Sequence, residues 1–287
     1  MPYILTYDGK PIDCRSHVFI GSLLPKTWTW SYPRPSTFNA KKVWLDADAT
    51  HCYYSDGDTQ LALSKSTSTW TRIVWSGENR AVPTYSEFAE NIWHMSGKTY
   101  YSGGSSNNQY ALGSYGQWNR RTWQVDTGMT VDMDGMNVWT DGTTFYHSRN
   151  SNQRRFDETY FMWKRKSWSG IGSFKGINVW TDGLHIYCYY DGYTYMLSGS
   201  TWTQQTFSGF NSIDDVSKIW HYGDKTFYST GSAHYMLDPS SFTWYQVDFG
   251  ANFSGADVWT DGDGVYVGAD YEISTTHPEG YTFIRNS

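Results

Sequence analysis

The chain has 287 residues, 39% of them hydrophobic and 17% charged, with a net charge of −6. An aromatic content of 19%, with 16 Trp and 24 Tyr, excludes a disordered chain, and the mild acidity argues against a nucleic-acid binder, which carries a basic face. Three cysteines, Cys14, Cys52 and Cys188, cannot all pair within one chain and form no CxxC, so neither a disulfide framework nor a zinc site is indicated. The start, Met1-Pro2-Tyr3-Ile4-Leu5, lacks the basic and apolar regions of a signal peptide, and no apolar run approaches the ~20 residues of a membrane span. These features lead us to expect a soluble protein made in a reducing cytoplasm, a reading compatible with later incorporation into a virion.

In chain order, one phrase recurs. It begins as Ile4-Leu5-Thr6-Tyr7-Asp8-Gly9, returns as Lys42-Val43-Trp44-Leu45-Asp46 and Asn91-Ile92-Trp93-His94, and is sharpest at Asn137-Val138-Trp139-Thr140-Asp141-Gly142 and Asn178-Val179-Trp180-Thr181-Asp182-Gly183. Lys218-Ile219-Trp220-His221 and Asp257-Val258-Trp259-Thr260-Asp261-Gly262 complete it. Successive anchors, from Leu5 to Trp259, are 39, 49, 46, 41, 40 and 39 residues apart. A second column follows each anchor: Thr27-Trp28, Thr69-Trp70, Thr122-Trp123, Ser167-Trp168, Thr201-Trp202, Thr243-Trp244 and Thr282-Phe283. Self-similarity at this period means units that cannot bury their apolar faces alone and must stack on neighbours. Both columns predict seven units, over residues 3–38, 39–87, 88–133, 134–174, 175–214, 215–253 and 254–287.

Each unit reads as four short strands. In the fourth they are predicted at 137–140, 144–148, 159–163 and 166–169, and in the sixth at 218–221, 226–230, 233–237 and 243–248. The Asp-Gly after the anchor supplies the positive φ of a tight turn between the first two. No stretch shows a helical apolar period. The expected fold is all-β: one seven-bladed β-propeller of four-stranded antiparallel blades, with both faces of each blade buried. Phe38, Met133, Phe174 and Phe253, each six residues before an anchor, are expected in the blade crossovers. The first unit starts on an innermost strand and the last ends on an outermost one, so the ring is expected to close by packing alone.

The residues resemble a known family. Ser96-Gly97-Lys98-Thr99-Tyr100-Tyr101-Ser102-Gly103-Gly104 is similar to the first half of a kelch repeat, and Tyr235-Met236-Leu237-Asp238-Pro239 with Thr243-Trp244 to the second. Only the third unit keeps the Gly pair. The resemblance spans nearly the whole chain and implies fold rather than activity. The cadence also resembles kelch-like propellers encoded by bacteriophages of gut bacteria, which implies a virion or host-attachment component. Some kelch propellers are enzymes; galactose oxidase holds copper with two Tyr and two His beside a Cys–Tyr crosslink. Here the cysteines fall within predicted second strands, which points to packing. No Gly-x-Ser-x-Gly, His-Glu-x-x-His or phosphate-binding loop occurs.

Candidate chemistry is weighed against packing. Twelve tryptophans belong to the two columns and are expected in the core; Trp30, Trp75, Trp118 and Trp163 are either core or exposed stacking platforms. Asp46, Asp141, Asp182 and Asp261 form either a carboxylate ring or turns, and turns are favoured. His94 and His221 share one column without any expected metal role. Long loops in units two to four are expected on one face, where binding residues concentrate. Trp75, Arg80, Tyr85, Asn107, Asn108, Arg149, Arg154 and Arg155 are therefore the candidate binding residues. Arg154-Arg155 and Lys164-Arg165-Lys166 are expected at opposite ends of one strand. The sequence favours a non-enzymatic module that docks to a protein partner or a glycan, with no cofactor, no metal, no nucleic acid and no membrane insertion; the alternative is a carbohydrate-active or copper enzyme with a site at the channel mouth.

Overall fold

The computed structural model describes residues 6–7, 10–11, 38–67, 69–77, 88–104, 108–113, 116–126, 131–210, 213–249, 252–262, 264–268, 271–274 and 282–285. Within them the chain is an all-β propeller. Six four-stranded antiparallel sheets follow one another, each in meander order from an inner to an outer strand. Sheet one comprises Val43–Leu45, Cys52–Asp56, Thr59–Ser64 and Thr69–Arg72. Sheet two comprises Ile92–Met95, Lys98–Ser102, Gln109–Leu112 and Gln117–Arg120. Sheet three runs Val138–Thr140, Phe145–Asn150, Asn152–Asp157 and Met162–Arg165. Sheet four runs Val179–Thr181, Ile186–Tyr190, Tyr193–Ser198 and Thr201–Gln205. Sheet five runs Ile219–Tyr222, Lys225–Gly231, His234–Asp238 and Thr243–Val247, and sheet six Val258–Thr260, Val265–Val267, Tyr271–Ser274 and Thr282–Arg285.

The expected seven blades are corrected to six. Sheet six, in the seventh sequence unit, packs directly on sheet one, in the second. Trp259 lies 6.0 Å from Trp70 and 5.5 Å from Phe38, ring centre to ring centre, and the Cys52 thiol reaches the Thr260 carbonyl at 3.8 Å. A seventh sheet has no room between them. Of the first unit, the described residues show a two-residue ladder, Thr6–Tyr7 with Lys10–Pro11. Among the described residues the ring closes by packing, with no sheet shared between distant parts of the chain.

Six apolar clusters, one per inter-sheet interface, hold the ring together. Each anchor Trp pairs across the ladder with an aromatic on the second strand: Tyr53, Tyr100, Tyr146, Tyr187, Phe227 and Tyr266. The paired rings stack with centroids 4.2–4.7 Å apart. This stack meets the outer-strand Trp of the next sheet: Trp44 with Trp118, Trp93 with Trp163, Trp139 with Trp202 and Trp180 with Trp244, at 6.0–6.2 Å. Such contacts replace disulfides as the inter-sheet glue, each ring burying roughly 150–250 Å².

That register corrects the second column. The outer-strand tryptophans are Trp70, Trp118, Trp163, Trp202 and Trp244, whereas Trp75, Trp123 and Trp168 lie five residues later in the crossovers, as Phe207 and Phe249 do. Trp75, Trp118 and Trp163 are therefore core residues rather than platforms; Trp30 lies outside the described residues. Four crossovers run beside the outer strand of the next sheet in parallel: Ser76–Gly77 on Gln117–Trp118, Val125 on Trp163, Ser169 on Thr201 and Ser208 on Thr243. An edge that would otherwise offer unpaired backbone groups is thereby covered. The crossover then returns inward through Met133, Phe174 or Phe253, all buried, while Phe38 at the same position before its anchor is partly buried. Where it turns into the next anchor, a Cβ on Gly135, Gly176 or Gly255 would overlap the carbonyl oxygen of Asn91, Asn137 or Lys218 of the preceding sheet. Glycine at those positions permits the closest backbone approach around the axis.

Candidate functional site

The repeat supplies its own control for locating a site. On the second strand, the residue paired with the one before the anchor Trp is Tyr54, Tyr101, His147, Cys188, Tyr228 and Val267 in sheets one to six. Its partner on the third strand is Leu61, Tyr110, Arg154, Tyr195, Tyr235 and Tyr271. Tyr54, Tyr101, Cys188, Tyr228 and Val267 all belong to the inter-sheet apolar clusters. Sheet three alone puts an imidazole opposite a guanidinium here. The interface between sheets two and three, sealed deeper down by Trp93, Trp123, Phe156 and Trp163, opens at this level into a cleft of about 380 Å³.

Local folding explains the placement. Asn150 takes a positive φ of 55° and Ser151 turns the chain, so Phe145–Asn150 and Asn152–Asp157 form a tight hairpin. Period-2 alternation then puts His147 and Arg149 on one face with their cross-strand partners Arg154 and Asn152. The opposite wall is Val131 and Asp132 of the crossover from sheet two. The expected strand at 159–163 is corrected by this hairpin. The residues expected to form a long loop at 149–155 are strand, because the turn needs only Ser151. The basic segments also sit differently from expectation: Arg154 faces Arg165 and Arg155 faces Lys164 across neighbouring strands.

The electrostatics are tightly wired on one side and open on the other. Asp134 accepts from Asn137 Nδ2 at 3.0 Å, binds His147 Nε2 at 3.0 Å and has Arg149 Nε at 3.5 Å. Burial pushes its carboxyl up, but the His147 and Asn137 hydrogen bonds and the nearby cations outweigh this, leaving it below its ordinary value. Burial holds the imidazole of His147 below its ordinary value, against the pull of Asp134. His147 is fully buried, and its Nδ1 has no hydrogen-bond partner among the described residues. Arg154 is half-buried, and that desolvation lowers its affinity for its proton, with Asp126 and Asp132 opposing at longer range. No hydrogen bond or ion pair within 4 Å engages its guanidinium among the described residues. A buried donor–acceptor set left partly unpaired destabilises a fold, so this polar set carries a stability cost.

The other candidate residues are spread apart. Arg149 and Arg154 line the cleft. Arg155 is exposed on the opposite face of the same sheet, in the row of Tyr146. Asn108 is half-buried, its carbonyl accepting the Gly103 N–H at 2.8 Å. Trp75 is buried, donating to Gln60 Oε1 at 3.1 Å and lying 5.7 Å from Trp44. Arg80, Tyr85 and Asn107 lie outside the described residues. His147, Asp132, Asp134 and Asn152 were not singled out from sequence. Aligning the six second strands residue by residue would have found His147, the one imidazole in a column of Tyr, Cys and Val.

The recurrent aspartates are turn residues. Asp141 accepts from the Thr143 and Thr144 N–H groups and from Tyr146 Oη at 2.9 Å. Asp182 and Asp261 do the same for their turns and for Tyr187 and Tyr266, at 2.7 and 2.9 Å, so each pins the ring stacked beneath its anchor. Asp46 accepts from the His51 N–H. Among the described residues no three His, Cys, Asp or Glu side chains converge. Cys52 and Cys188 are buried in second strands, and burial pushes the Cys188 thiol up to about 12; Cys14 lies outside the described residues. No described helix is long and apolar enough to cross a membrane.

No family model matches the chain, and no curated protein does. Among solved structures it resembles PorZ, a bacterial surface component of the type-IX secretion system of Porphyromonas gingivalis, at 11% identity over 87% of this chain and 33% of that one, with a TM-score of 0.51. It also resembles the extracellular domain of the putative hybrid two component system BT4673 from Bacteroides thetaiotaomicron, at 8% identity over 88% of this chain and 37% of that one, with a TM-score of 0.51. The chain spans about a third of the length of each. Neither likeness carries the virion reading, and the kelch resemblance rests on its motifs alone; what the two neighbours share with this chain is the β-propeller fold.

Proposed function

We propose that this propeller is a non-catalytic recognition module of the kind carried on bacterial surface and sensor proteins, and that the cleft between sheets two and three is its ligand seat. One observation carries the reading: at a position where five sheets seal the ring with apolar side chains, the third sheet holds His147 and Arg154. A rigid ring presenting a preformed cleft loses little conformational entropy on binding. The cleft's donors and acceptors, with Asn150 and Asn152 at its mouth, suit a hydroxylated or amide-bearing ligand, hence a glycan or an exposed protein segment. The alternative, an enzyme at the channel mouth, has less to support it: Asp141, Asp182 and Asp261 are committed to their turns.

A combined glycan and peptide array tests this. Binding should be lost on Asn152→Ala, at the cleft, and kept on Lys98→Ala, beside the turn at the other end of sheet two. Hits that survive Asn152→Ala and vanish with Lys98→Ala would move the binding face and overturn the proposal.

A further inference from the structure

The cleft's charges narrow the ligand class, and this step rests on the binding role just proposed. Arg154 carries a half-buried guanidinium with no contact partner among the described residues, while the carboxylate nearest the hairpin, Asp134, is already taken up by His147, Asn137 and Arg149. A neutral ligand would leave that guanidinium with only the longer-range charges of Asp126 and Asp132 and no direct ion pair in a partly desolvated site, which is costly. A compact ligand of uniform negative charge would meet Asp132 on the facing wall. A carboxylate carried on a hydroxylated frame satisfies both sides, with the carboxylate against the planar fork of Arg154 and hydroxyls donating to Asp132 and exchanging hydrogen bonds with Asn152. Around this end of the ring, one sheet further on, Tyr190 and Tyr193 occupy the register of Arg149 and Asn152, and both are exposed. They offer the ring faces on which a sugar beyond the first can stack.

We infer that the cleft binds an acidic sugar, its carboxylate held by Arg154 and Arg149. Calorimetric titration of the whole chain with trigalacturonate, 3′-sialyllactose and neutral lactose tests this and separates uronates from sialic acids. The expected result is that at least one acidic ligand binds tenfold or more tightly than lactose. Arg154→Gln should erase that preference, and Arg155→Gln, on the far face, should keep it. If Arg154→Gln does not fold, Arg149→Gln at the half-exposed mouth reads the same contact. The inference is overturned if the preference survives loss of the cleft arginines, or if neither acidic ligand outbinds lactose. Lactose binding that Asn152→Ala removes would leave the recognition role standing and discard only the acidic ligand.

Discussion

Two interfaces of the same ring solve one packing problem differently. Between sheets four and five, Trp180, Tyr187, Phe207, Tyr228 and Trp244 fill the gap, with Tyr228 facing Tyr235 across the ladder. Between sheets two and three, the equivalent ladder position holds His147 facing Arg154, and a cleft opens above Trp163. The backbone register is the same in both. The difference lies in that ladder pair and in Phe210, whose ring stacks on Tyr235 at 4.2 Å, and it separates an interface sealed by aromatic rings from one that lines a cleft with polar groups. A repeat protein can carry such an exception because the remaining interfaces supply the stability that one gives up.

The comparison can be broken at its apolar side first. Trp180→Ala removes one of the two indole rings from the interface between sheets four and five and should cost about 3–5 kcal/mol in denaturant unfolding. A loss within error would mean that this interface is not what holds the ring. At the polar side, the double replacement His147→Tyr with Arg154→Tyr imports the Tyr101–Tyr110 pair of sheet two. It should raise stability by about 1–3 kcal/mol while abolishing ligand binding, and a lowered midpoint would show that the polar pair is itself a stabilising device.

The smallest effect concerns pH. His147 is depressed below its unfolded value of about 6.5 by burial, with Asp134, Arg149 and Arg154 as its charged neighbours. Its contribution is therefore fully present above pH ~6.5 and is lost as pH falls towards the folded value. Asp134 is also depressed, and its contribution fades only in more acid solution, as pH falls below the ordinary carboxylate range. As pH falls below ~6.5 the wild type should lose stability more steeply than His147→Gln, by up to about 1.4 kcal/mol per pH unit. Parallel curves would show that the imidazole is not held neutral by the fold.

Part of this was legible in the residues. The Val-Trp-Thr-Asp-Gly cadence located inner strands in all six sheets, because alternation, an aromatic anchor and a turn pair are local signals. The aspartates were readable as turn residues for the same reason, since an Asp side chain bonds backbone groups two or three positions on. The outer strands were harder. Thr-Trp recurs at the fourth strand in some units and in the crossover of others, as Thr122-Trp123 shows, and only the ladder partner distinguishes them. The hairpin at Asn150–Asn152 was hidden because its polar residues read as loop, although cross-strand pairing suits them equally well at a rim. His147 looks unremarkable by itself and Arg154 reads as one loop cation among several; what pairs them is their register, seen against what stands there in the other sheets.

By itself, then, the amino-acid sequence determined the all-β class, the four-strand unit, the stacking of units through tryptophan and the residue types offered at the rim. Those are set by interactions within a few residues or by a period. The closure at six sheets rather than seven, and the meeting of His147, Arg154, Arg149 and Asp132 around one cleft, were decided only by tertiary structure. Closure depends on the angle between sheets that the wedged rings impose, and a cleft depends on which walls that angle brings face to face. Neither quantity is written in any single repeat.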